Sequence, residues 1–236
     1  MVEKKICIVT GVGEGTGLGI VRRFAEGGYQ VAMLARNEAR LQRFAREIPG
    51  TTAFTCEVSD EESVNSTFAA VAEKLGPPDV LVHNAVSFNS VFGTFMEIEP
   101  AALQRNFEVN TMGLLFCARA VAPYMLKAGS GAIMVTGNTS ARRGRANFAA
   151  FAPTKAAQRI LAESIARSLG PQGVHVSYIL IDGGIDMPFA RELLPDKPDE
   201  FFIKTAAIAD AIWSVVHQDR SGWTFELDLR PFGEEW

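Results

Sequence analysis

The chain has little with which to cross-link itself or grip a polyanion. Among 236 residues there are three cysteines, Cys7, Cys56 and Cys117, far apart and in apolar surroundings. That scarcity argues against a disulfide framework or a cysteine metal site and reads as buried free thiols in a reducing compartment. Basic charge is also scarce: the net charge is −4, and the one basic cluster is Arg142, Arg143 and Arg145. Sequence-independent binding of nucleic acid needs a concentrated positive surface, so it is excluded, and the cluster reads as a solvated loop. No apolar run is expected to approach the ~20 residues needed to span a bilayer. The stretch Met1 to Lys5 is polar and leads directly into a strand, so no secretory signal is expected and the protein is expected to be cytoplasmic. Tyrosine is scarce too, with only Tyr29, Tyr124 and Tyr178.

What is present is apolar and periodic. Hydrophobic residues make up 47% of the chain against 21% charged, enough for a substantial core. Short β-branched runs at 6–9, 31–34, 52–56, 80–83, 132–136, 174–181 and 224–229 read as strands. Helical patterns fall between them at 17–27, 38–48, 61–75, 103–126, 152–169 and 208–217. Alternation of this kind, with nearly continuous apolar strands, predicts a doubly wound α/β fold: a parallel sheet with helices on both faces, formed by residues 1–236 as one unit. Ser59 with Glu62 three residues later reads as a capping box opening the third helix. The segment 187–204 carries Pro188, Pro195 and Pro198, breaks the rhythm and reads as an inserted lid.

Thr10-Gly11-Val12-Gly13-Glu14-Gly15-Thr16-Gly17 follows the first strand and opens a helix. In that context Gly11 permits the tight turn, Gly15 lets a pyrophosphate approach the backbone, and Gly17 allows close helix–strand packing. The helix N-terminus then supplies oriented N–H groups to the phosphates. The end of the second strand reads Ala35-Arg36-Asn37, with no acid to bond a ribose 2′-hydroxyl. Arg36 therefore favours a 2′-phosphate, and NADP(H) is expected over NAD(H). Glu14 in the turn opposes that preference by repelling the same phosphate.

Over essentially its whole length the chain resembles the short-chain dehydrogenase/reductase family. Thr10–Gly17 matches that family's TGxxxGxG, Glu57-Val58 resembles its adenine-contacting pair, and His83-Asn84-Ala85-Val86 is similar to its NNAG. The resemblance implies that Asn84 and the Gly183–Ile185 backbone contact the cofactor, that Asn110 holds a water of the proton relay, and that Lys155 bonds the nicotinamide ribose. The family's catalytic pattern is Ser, then Tyr thirteen residues on, then Lys four residues after that. Counting back from Lys155 puts Phe151 at the tyrosine position and Asn138 at the serine position. The alternative tyrosine position of the related enoyl reductases is Phe148. Residues i and i+4 share a helix face, so a tyrosine at 151 would meet the Lys155 ammonium and become a usable acid; phenylalanine has no proton to give. The pattern resembles an atypical subgroup that keeps the lysine without the tyrosine.

Tyr178, on the sixth strand, reads as a core residue with a satisfied hydroxyl. Thr139 and Ser140 are the neighbouring hydroxyls that could polarise a carbonyl. Phe88, Phe92, Phe148, Phe151, Met187, Phe189 and Leu193 either line an apolar pocket or pack on one another. The resemblance implies a homodimer or homotetramer through the helices at 103–126 and 152–169, with Ala156, Ala157, Ala162 and Ala166 permitting close packing. The expected function is an oxidoreductase acting on a small apolar substrate, with the proton coming from substrate or water. The alternative is a catalytically silent NADP(H) sensor or partner subunit. A purely structural subunit is a third reading, opposed by the intact glycine turn and Lys155.

Overall fold

The structure is a computed structural model that describes residues 4–87 and 92–233. Its centre is a seven-stranded sheet in the order β3-β2-β1-β4-β5-β6-β9, parallel at every pairing. The strands are β1 (Ile6–Thr10), β2 (Gln30–Ala35), β3 (Thr51–Thr55), β4 (Val80–His83), β5 (Gly131–Asn138), β6 (Val174–Ile181) and β9 (Glu226–Leu229). A separate pair joins β7 (Gly184–Ile185) to β8 (Phe202–Ile203). Successive side chains of a strand point to opposite faces, so strands covered on both faces must be apolar throughout. Every residue of β1 and β6 is buried, and their few polar residues, Thr10, His175 and Ser177, are hydrogen-bonded.

Two apolar layers result. On one face α3 (Glu61–Leu75), α5 (Gly113–Ala128) and α6 (Ala152–Leu169) bury Phe68, Val121 and Ala162 against Ile8, Leu81 and Val135. On the other, α1 (Thr16–Glu26), α2 (Glu38–Glu47) and α8 (Thr205–Val216) bury Phe24, Phe44 and Ile212 against Val9, Met33 and Val82. The three thiols are free and buried, as expected.

Four expectations are corrected. Asp60, not Ser59, caps α3: its carboxylate accepts from the amides of Glu62 and Ser63, while the Ser59 hydroxyl donates to Glu57. The helix expected over 103–126 is α4 (Pro100–Phe107) and α5 joined by a π turn, Glu108–Met112, and that continuous run of 29 residues is apolar and long enough to cross a membrane by length and composition. Charged residues interrupt the run in sequence, so a count of unbroken apolar residues misses it; its Leu114, Cys117, Val121 and Met125 lie in the core. Ala162 is fully buried within its own chain's core, so it cannot face a partner. Arg142 is not simply solvated: its guanidinium pairs with Glu226 and Asp228 of β9.

Between Ile185 and α8, the segment expected as a lid contains a short helix, α7 (Pro188–Leu193), and β8. Arg191 ties it down through Asp186 and Asp199 at 2.9 and 2.7 Å.

Candidate active site

The sheet reverses direction of growth between β1 and β4, and the carboxyl ends of these strands border the crevice where such sheets bind ligands. Asn84 holds that edge together. Its Nδ2 donates to the Gly11 carbonyl at 3.1 Å, and its Oδ1 accepts from the Thr136 hydroxyl of β5 at 3.2 Å. Thr10 Oγ1 accepts from the amides of Asn84 and Ala85 at 3.2 and 3.3 Å, linking β1 to the loop after β4.

The glycine turn is fitted closely on one side and open on another. Gly11 adopts φ +67°, and a Cβ there would stand 2.5 Å from the Ala85 backbone, so only glycine fits. A Cβ at Gly17 would lie 2.8 Å from the Gly11 carbonyl, which explains the close seat of α1. Nothing stands within 4 Å of a Cβ at Gly13. Gly15 caps α1 with no side-chain hydrogen bond, and the Leu18 amide donates to the Gly13 carbonyl at 3.1 Å, so the Thr16 and Gly17 amides are the first-turn donors left for an anion. The chain's own Met187 packs over Gly15, where a Cβ would meet its sulfur at 2.7 Å.

The charges near the adenosine end pair with one another. Glu14, expected to repel a phosphate, is ion-paired with Arg43. Arg36 faces Glu57 at 3.6 Å, with its side chain 79% exposed. Glu57 also accepts from the Ser59 amide and hydroxyl, and Val58 is buried against the start of α5.

Deeper in, a buried polar lattice ties the loop after β4 to the π turn and α6. Asn110 Oδ1 accepts from the Ser87 amide at 2.8 Å, and its Nδ2 donates to Thr154 Oγ1 at 2.9 Å. Asn106 accepts from the Ser87 hydroxyl at 2.6 Å and donates to the Ala150 carbonyl at 2.9 Å. The Thr154 hydroxyl donates to the Phe151 carbonyl at 2.7 Å. Broadened turns of this kind gather at functional sites, and here the π turn presents Asn110 to α6.

Lys155 is 3% exposed. Its Nζ donates to the Thr136 carbonyl at 3.1 Å and to Gln158 Oε1. Burial disfavours its charged form and lowers its pKa to about 7. Gln158 Nε2 in turn donates to the Asn110 carbonyl at 2.7 Å. His83 approaches the same region from β4: burial first, then the Lys155 charge, lower its pKa to about 3. Its Nδ1 lies 3.3 Å from Thr10 Oγ1, and its buried Nε2 has no hydrogen-bond partner among the described residues.

Phe151 and Asn138 stand where the family pattern carries tyrosine and serine. Phe151 is fully buried at the mouth of α6, so it is packed core rather than exposed pocket wall. Asn138 Oδ1 accepts from the Ser140 amide at 3.1 Å and so serves its own turn. Tyr178 is a fully buried core residue, as expected. Burial pushes that phenol well above its ordinary range, which disqualifies it as an acid. Phe148 meets Phe92 edge-on at 5.4 Å, whereas Phe189 and Leu193 are exposed and Phe88 lies outside the described residues. Gly183 follows Asp182, whose carboxylate pairs with Arg230 and anchors the end of β6. Ile185 pairs with Ile203 in the small sheet.

Gln158 and Asn106 escaped the sequence reading, and His83 entered it only as part of the run resembling NNAG. Gln158 stands three residues after Lys155, on the same helix face, so spacing alone could have raised it.

Comparison with known proteins agrees with this geometry. Residues 5–197 match the family model described as short chain dehydrogenase. L-fucose dehydrogenase from Bos taurus is 30% identical over 83% of this chain and 71% of its own length. An alcohol dehydrogenase from the archaeon Thermococcus sibiricus, solved with 5-hydroxy-NADP, is 26% identical with TM-score 0.87, covering 99% of both chains. A 3-ketoacyl-(acyl-carrier-protein) reductase from Brucella melitensis, solved with NADH, is 25% identical with TM-score 0.87, over 98% of this chain and 99% of its own.

Proposed function

The chain belongs to the short chain dehydrogenase family of oxidoreductases, and from that premise we propose that it binds NADP(H) together with a small apolar substrate at a site lacking its own proton donor. The cofactor supplies hydride when bound. The first-turn amides of α1 with Gly11, Gly13, Gly15 and Gly17 hold the phosphates; Arg36 takes the 2′-phosphate; Glu57, Val58 and Asn84 border the adenine and crevice; Lys155, Gly183 and Ile185 face the nicotinamide end. Any proton then comes from substrate or water.

The observation that carries the reading is the combination of an uncapped glycine turn with a fully buried Phe151 one helical turn from Lys155. It supports grouping the chain with members that keep the lysine and lack the tyrosine. A second reading, a catalytically silent NADP(H) sensor or partner subunit, is favoured by Asn110: its carbonyl, Oδ1 and Nδ2 are all engaged within the protein.

The preference for NADP(H) rests on Arg36, which has only the exposed Glu57 pair to give up, and on Arg43, which holds the Glu14 charge. A fluorescence titration tests it. NADPH binds more tightly than NADH by roughly 1–3 kcal/mol, about 5- to 150-fold, and Arg36→Ala removes most of the difference. Equal affinities, or tighter NADH binding, refute the assignment. The exposed Phe107 and Ile160 on α4 and α6 support a homo-oligomer, and the three free thiols support a reducing, cytoplasmic compartment.

A further inference from the structure

We propose that Gln158 is the positioning residue of this site, fixing Lys155 as a hydrogen-bond donor for a bound ligand and closing the lysine off from any proton path through the Asn110 carbonyl. The orientation of the Gln158 amide is forced. A backbone carbonyl can only accept, so Nε2 must face the Asn110 oxygen, at 2.7 Å. Oε1 is thereby turned to Lys155 Nζ, and the lysine must donate. Gln158 is fully buried, so solvent does not compete for either contact.

An ammonium has three donors. Thr136 and Gln158 take two, and the third has no partner among the described residues. The lysine is held at a fixed point with one N–H left to offer. An amide can bridge two groups without passing a proton between them, because it neither gives up its N–H nor keeps an added proton near neutral pH. A water in the same place could do both. The bridge from lysine to Asn110 that would serve proton transfer is thus made by a group that cannot perform it. Around the ammonium, β5 contributes the Thr136 carbonyl, the π turn contributes uncharged Asn110, and β4 contributes His83, whose charge interacts unfavourably with that of Lys155. On α6 itself Arg159 is turned away onto Glu226, at 24% side-chain exposure.

The test reads Lys155 directly, without cofactor. Lysine labelled with ¹³C at Cε is incorporated, the Lys155 resonance is assigned by its loss in Lys155→Arg, and its titration is followed by NMR. Gln158→Glu places a carboxylate on Nζ and raises the midpoint by roughly one unit or more. Gln158→Met, close in shape, removes the acceptor and lowers it. If Gln158→Glu does not fold, Gln158→Met alone decides, with circular dichroism to verify folding. A midpoint unmoved in the folded variants overturns the proposal. NADPH affinity is measured in parallel, and folded Gln158→Met binds about tenfold more weakly, with Gln158→Glu recovering part of the loss. The inference rests on the proposed nucleotide site only for that second readout: absence of NADPH binding by the wild type, with a lysine midpoint that still responds to Gln158, defeats the cofactor reading and leaves the positioning role standing.

Discussion

Restoring the missing acid is the most demanding test of a disarmed reductase site. The perturbation is Phe151→Tyr combined with Asn138→Ser. Phe151 begins the turn that leads to Lys155, since its carbonyl accepts the Lys155 amide at 3.2 Å, and its ring is sealed from solvent. A hydroxyl added there has two fates. If it reaches the free N–H of Lys155, it is satisfied and its pKa is drawn down by the ammonium. If it does not, a buried unpaired hydroxyl costs about 1–3 kcal/mol. For a chain of this size that lowers Tm by roughly 2–4 °C per kcal/mol, so thermal unfolding distinguishes the two fates. With the hydroxyl satisfied, NADPH oxidation by a generic apolar ketone rises about 10²-fold or more over the wild type, the ordinary gain from a placed general acid. A double variant with unchanged Tm, intact NADPH binding and parental turnover refutes the reasoning and favours the silent sensor. Ordinary turnover by the wild type refutes it from the other side, and single substitutions at Thr139 and Ser140 then search for the donor.

Two further outcomes follow from burial. His83 has its folded pKa lowered from 6.5 to about 3, so the unfolded chain binds its proton first, and stability is lost as pH falls through 6.5 toward 3. Over that window the folding constant drops toward tenfold per pH unit, urea midpoints measure it, and His83→Asn flattens the slope; an unchanged slope refutes the assignment. On α6, Ile160 is 57% exposed while Ala162 is fully buried, so Ile160→Glu weakens a homo-oligomer seen by light scattering, whereas Ala162→Glu unfolds the chain. A wild-type monomer at micromolar concentration refutes the interface.

The strands were legible because burial on both faces writes itself as an unbroken apolar run, and 80–83 and 174–181 were read to the residue. The glycine turn was legible because steric demand at Gly11 and Gly17 leaves one residue type. Reading failed where two neighbours offer the same chemistry. Ser59 and Asp60 can each cap a helix, and only the backbone angle at Asp60 decides. It failed at the π turn because the apolar pattern continues across Glu108–Met112 while the hydrogen bonding changes. Which way Ala162 faces was misjudged because a small residue carries no sign of its environment. The lattice of Ser87, Asn106, Asn110, Thr154 and Gln158 joins residues up to 71 positions apart. Nothing local announces it, and only the approach of α6 to the π turn and the loop after β4 creates it.

The ion pairs that fasten β9 have a bearing on how the chain is made. Arg142, just after the turn that ends β5, is held by Glu226 and Asp228, residues 84 and 86 positions later, and Asp182 is held by Arg230. During synthesis the glycine turn, the crevice and Lys155 all leave the ribosome before their brace does. The nascent chain can therefore form the glycine turn and pair β1, β2, β4 and β5 while the loop after β5 is still unfastened.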